Sequence, residues 1–111
     1  MTRSMLSKSA GALLRALLRR AGDDRNRVLL SSWTTVDWQS LTFSGERHEA
    51  SFVLAGPDAL EFARRWTCGL EDADIELGSG AFVAELAVTN TPVAHDGGSI
   101  TVSLEALTLT D

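Results

Sequence analysis

The chain of 111 residues has one cysteine, Cys68, so no disulfide can close within it and a secreted disulfide scaffold is excluded. A reducing, cytoplasmic setting is expected. Paired-cysteine metal spacing is absent for the same reason, and the glycines form neither a phosphate-binding loop with its Lys-Ser/Thr ending nor a GxGxxG turn. No cofactor, metal or nucleotide is therefore expected. Long apolar runs are missing too: the longest uncharged stretch of the N-terminal segment, Ser9 to Leu14, is too short for a secretory signal core or a membrane span. No GxSxG-like turn presents a serine, and no nucleophile, base and orienting group can be named together. The role expected is non-enzymatic, away from the membrane.

Charge of one sign is scarce in each part of the chain. Residues 1 to 27 hold seven Lys and Arg against Asp23 and Asp24, whereas residues 28 to 111 hold Arg47, Arg64 and Arg65 against thirteen acids. An acidic body repels phosphate backbones, so no nucleic-acid partner is expected. The Arg-rich, amphipathic N-terminus also matches a mitochondrial transit peptide, an alternative to its being part of the fold.

What is present is organised around Gly56 to Gly69, a short helix with both ends marked. Pro57 suits a first helical position and Gly69 a left-handed terminator. Ala59, Phe62, Ala63, Trp66 and Leu70 recur at three- and four-residue steps, with Glu61 and Arg65 as an i,i+4 pair on the wet face. Phe62 and Trp66 are expected to anchor the core, each burying roughly 150–250 Å². Cys68, at the end of this helix, is expected to be an inert core thiol.

Upstream, Leu6, Ala10, Leu13, Leu14, Leu17, Leu18 and Ala21 form one stripe of a helix over residues 5–21, closed by Gly22. Arg27 to Thr35 reads as a strand and Val36 to Gln39 as a reversal. Ser40 to Leu54 alternates with a phase slip, which a bulge at Ser44 and Gly45 would absorb; the competing reading makes residues 44–47, SGER, a hairpin turn. Ala81 to Thr89 and Ser99 to Thr110 are the last two strands, joined by a loop with Asp96-Gly97 turn chemistry. The order α-β-β-α-β-β predicts an α+β fold: a two-layer α/β sandwich with a four-stranded antiparallel sheet and two helices on one face. It is one domain over residues 1–111, with residues 1–4 expected outside its ordered part.

His48 shares the parity of Ala50 and Phe52 and is expected to point inward, held by a backbone carbonyl; His95 sits in a polar loop and is expected to be solvated. Asp72, Asp74 and Glu76 mimic the start of a calcium loop, but Leu77 and Val83 occupy the positions that need glycine and a bidentate acid. The outer sheet face is expected to show Trp33, Glu49, Val53, Val83, Glu85, Ala87, Ser103, Glu105 and Leu107. That mixture suits association, so a homodimer through Trp33, Val53, Val83 and Leu107 is the first functional expectation. The second is a small-ligand pocket between helices and sheet near His48 and Trp38.

Overall fold

The computed structural model describes residues 6–78, 80–90, 93–95 and 97–110. Residues 1–4, Met5 at the start of the expected first helix, and Asp96 of the expected turn lie outside them. The first helix, α1, runs Lys8–Ala21, and Ser7 caps it by accepting the Ala10 N–H at 3.1 Å. Gly22 ends it in the left-handed region, with φ 62°. Its buried stripe is Ala10, Leu13 and Leu17, with Leu14, Leu18 and Ala21 packed at the margin. A 3-10 stretch, Gly22–Arg27, leads into β1, Val28–Gln39. Then follow β2 (Ser44–Leu54), helix α2 (Ala59–Thr67), a 3-10 turn (Leu70–Asp72), β3 (Ala81–Val88), β4 (Val93–Ala94) and β5 (Ile100–Thr110).

The strands form one antiparallel sheet in the order β1-β2-β5-β3, and the two-residue β4 continues the β3 margin beside the start of β5. The α+β sandwich with α-β-β-α-β-β order is thus present, β4 being the addition. Each αββ half supplies one marginal and one central strand, and the halves meet along β2 and β5, where Glu49 faces Glu105. Alternation sends Ala50, Phe52 and Leu54 of β2 and Ile100, Val102, Leu104 and Ala106 of β5 to one side, onto Leu13 and Leu17 of α1 and Phe62, Trp66 and Leu70 beside them.

The phase slip has a different origin from the one expected. β1 does not reverse at Val36 but continues to Gln39; the turn is Ser40–Phe43, where the Ser40 hydroxyl accepts the Phe43 N–H at 3.0 Å. Neither a bulge at Ser44 and Gly45 nor an SGER turn forms, since β2 pairs in continuous register from Ser44 to Leu54. The bulges lie in the two marginal strands, between Leu30 and Ser32 of β1 and between Val83 and Glu85 of β3. Gly45 is required for space: a Cβ there would come within 1.9 Å of the Thr108 carbonyl oxygen.

Helix α2 buries the predicted face, Ala59, Phe62, Ala63 and Trp66, but its ends differ. Pro57 lies in the preceding turn, and Asp58 takes the left-handed conformation, φ 52°, as the residue before the helix. Cys68 is exposed, not a core thiol: two residues beyond Trp66 it falls off the buried stripe. Glu61 pairs with Arg64 at 3.0 Å instead of Arg65, whose guanidinium lies 5.6 Å from the Phe62 ring centre.

Two arginines of the basic N-terminal segment hold both ends of α2. Arg20 donates to the carbonyls of Trp66, at 2.7 Å, and Cys68, satisfying groups the helix end leaves open. Arg27 donates to the Ala55 and Pro57 carbonyls at 2.8 and 2.6 Å and lies 4.5 Å from the Phe62 ring centre. Residues 8–27 are thereby part of the packed fold.

Candidate functional site

The polar groups that the fold brings together lie at the N-terminal end of α1, on the helix-covered side of β1, β2 and β5. His48 points inward as expected and is fully buried, but its partners are side chains and not a backbone carbonyl. Nδ1 lies 3.2 Å from Trp33 Nε1 and 3.1 Å from Thr35 Oγ1; Nε2 lies 2.9 Å from Thr108 Oγ1. The indole N–H can only donate, and it lies 3.2 Å from both Nδ1 and Thr35 Oγ1; with Nδ1 as an acceptor, the ring proton sits on Nε2 and is donated to Thr108. Glu46 Oε1, 3.9 Å from Nε2, accepts the Ser7 hydroxyl proton at 2.5 Å, which ties the cap of α1 to β2.

Burial holds the His48 pKa below its ordinary 6.5, opposed by the carboxylate of Glu46. The neutral ring also suits the geometry, because a proton on Nδ1 would face the indole N–H. The folded state thus keeps His48 neutral at a pH where the unfolded chain protonates it. Stability from this term is fully present above about pH 6.5 and is lost as pH falls from there toward the folded-state pKa. Melting temperature should accordingly drop between pH 7.5 and pH 5.5, about one unit either side of the free imidazole pKa, and His48→Gln should flatten that drop. Equal slopes for parent and variant would show that the ring is not held neutral.

The Thr108 hydroxyl and His48 make a hydroxyl–imidazole pair by distance, yet both are buried to within 1% of their surface. The nitrogen to which a catalytic triad would give a carboxylate is occupied by Trp33 and Thr35. This arrangement orients side chains and fixes a cap; it offers no surface to a substrate. Sequence reading missed Ser7, Thr35, Glu46 and Thr108, of which only Ser7, a capping type one residue before the helix, carried a local signal.

Beside this cluster lies an open depression of 630 Å³ lined by Ser9, Asp37, Trp38, Gln39, Ser44, Gly45, Glu46 and Thr110. Trp38 contributes to its lining from β1; His48, fully buried, does not. Among the described residues no group of three or more His, Cys, Asp or Glu is close enough to hold a metal ion, and no helix is long and apolar enough to cross a membrane. His95 is exposed, its Nε2 on the Thr101 hydroxyl.

The expected outer face changes in composition. Val53 and Leu107 are there, Leu107 opposite Arg47 and Glu85 in the adjoining strands. Trp33 and Val83 are not: each bulge reverses the parity of its strand, so Trp33 pairs beside Ala50 and Val83 beside Thr108, both packed against the core. In their place the register brings Val36, Trp38, Phe82 and Leu109 outward, with the Phe43 ring 6.0 Å from Phe82 in an edge-to-face contact. Large exposed apolar side chains are Leu29, Leu30, Val36 and Leu41 on β1 and its turn, Leu60 on α2, and Phe82 on β3. No protein-family model matches the chain, and no curated protein is significantly similar to it.

Proposed function

We propose that this domain is non-enzymatic and acts by protein association, as a homo-oligomer. The observation that carries this reading is the concentration of exposed apolar side chains along one margin of the sheet: Leu29, Leu30 and Val36 on β1 and Leu41 in the turn after it. An isolated exposed leucine has no meaning, but four large apolar side chains exposed on one strand and its turn, Leu29 and Leu30 at one end and Val36 and Leu41 at the other, are what an association surface presents. The polar cluster around His48 supports the same reading, since its hydrogen bonds are spent inside the protein. Sedimentation equilibrium should return a mass that rises above the 11.9 kDa of the chain with micromolar concentration. A constant single-chain mass well above micromolar would sink the proposal.

A second reading is favoured by the depression at the N-terminal end of α1, where Asp37 and Glu46 face each other across β1 and β2. Two facing carboxylates suit a small cationic ligand, because a cation between them relieves their mutual repulsion. Native mass spectrometry of the purified protein distinguishes the two: a retained small molecule supports the pocket, and added chain masses support association.

A further inference from the structure

The N-terminus of α1 brings no negative charge of its own. Its first turn contains no acid and opens on Lys8, the wrong sign for the positive end of a helix dipole. The carboxylate that serves it comes from β2: Glu46 Oε1 accepts the Ser7 hydroxyl proton at 2.5 Å, across 39 residues of sequence. Ser7 in turn holds the first turn twice, its hydroxyl accepting the Ala10 N–H and its carbonyl the Gly11 N–H at 2.8 Å. The same Glu46 oxygen lies 3.9 Å from Nε2 of buried His48. One carboxylate oxygen thus stands between a helix cap and an imidazole. The ring, for its part, has somewhere to put a second proton. Thr35 Oγ1 is 3.1 Å from Nδ1 and 3.2 Å from the indole nitrogen of Trp33, so with a proton on Nδ1 the indole gives up the ring and keeps Thr35, which accepts from both. Among the described residues, β1 turns Trp33 and Thr35 to the ring, β5 turns Thr108 and β2 turns Glu46, so Glu46 is the charged group that faces it. Asp37, opposite Glu46 on β1, and Lys8, next to the cap, are exposed.

We propose that His48, Glu46 and Ser7 form an acid-sensitive latch on α1: a proton taken up by the buried imidazole unfastens the first turn of the helix from β2. Two effects act in that direction. A cationic ring competes with Ser7 for the Glu46 oxygen, which must leave its position 3.9 Å from Nε2 to reach the roughly 2.7–2.9 Å of a charge-assisted bond. The same positive charge is added to an end of α1 that already carries the positive pole of the dipole and Lys8. An open first turn also lets water approach the charged ring, relieving the desolvation that burial imposes on it. With the ring neutral the latch is closed; with the ring charged it opens, at one helix turn and without unfolding of the core.

Proton uptake and the Ser7 bond must then oppose each other in both directions, so removing the bond raises the affinity of the ring for its proton. Ser7→Ala should therefore move the titration midpoint of the His48 imidazole, followed by NMR, upward from that of the parent. Amide exchange reads the helix turn. In the parent, protection of Ala10 and Gly11, corrected for intrinsic exchange, should fall between about pH 7.5 and about pH 5.5, by at most about tenfold per pH unit, the limit for one linked proton. In His48→Gln the same two amides should hold one level of protection across that range. A His48 midpoint that Ser7→Ala leaves unmoved or lowers, or Ala10 and Gly11 amides equally protected at both pH values in the parent, overturns the latch. Both of those readings are made on the parent and a surface hydroxyl deletion, so they decide the matter even where His48→Gln does not fold.

Discussion

Trp66→Ala should cost about 3–5 kcal/mol of folding stability, the range for deleting a large buried aromatic. Trp66 is buried to 2% of its surface, its ring meets Phe52 edge-to-face at 5.2 Å, and its indole N–H donates to the Leu17 carbonyl at 3.0 Å. One side chain therefore joins α2 to the sheet and to α1 at once. Collapse cannot refill the space readily, because its neighbours belong to three separate elements. Domains are stable by about 5–15 kcal/mol, so the variant should sit near its unfolding threshold. Urea titration checks this, with Trp66→Phe as the companion that keeps an aromatic ring and loses the hydrogen bond. An alanine variant with an unfolding midpoint close to the parent's would mean that Trp66 is not a core anchor.

Deleting residues 1–22 should leave a protein that is insoluble or molten, with lost near-ultraviolet dichroism and strong binding of hydrophobic dyes. The deletion removes Leu13 and Leu17, which cover the inner sheet face, and Arg20, which satisfies the α2 carbonyls. It also removes Ser7, whose loss leaves Glu46 beside buried His48 without its hydroxyl partner. A truncated chain with the cooperative melt of the parent would show that α1 is a removable segment, as the transit-peptide alternative requires.

Much of the architecture was legible because the elements that build the core carry their burial in their spacing. The stripes of α1 and α2 and the even positions of β2 and β5 read directly as the faces that meet. The marginal strands did not read, for a physical reason: with little buried on either side, β1 offers no alternation to fix parity, and a one-residue bulge reverses it. Trp33 and Val83 were assigned to the wrong face on that account. The turn at Ser40–Phe43 was hidden by Leu41, an apolar residue standing exposed at its tip. The His48 cluster was legible only in its histidine, because its partners on β1 and β5 lie 13 and 60 residues away in sequence.

The contacts of Glu71 and Glu76 along β3 bear on how the sheet could be extended. A sheet open on both sides can recruit copies without end, which is the geometry of fibres. At the β3 margin the Glu71 carboxylate already holds the Val88 N–H and a backbone bridge from Glu76 already holds Phe82, so an incoming strand has to displace both. What looks like a local detail of β3 therefore works against runaway strand addition at that side.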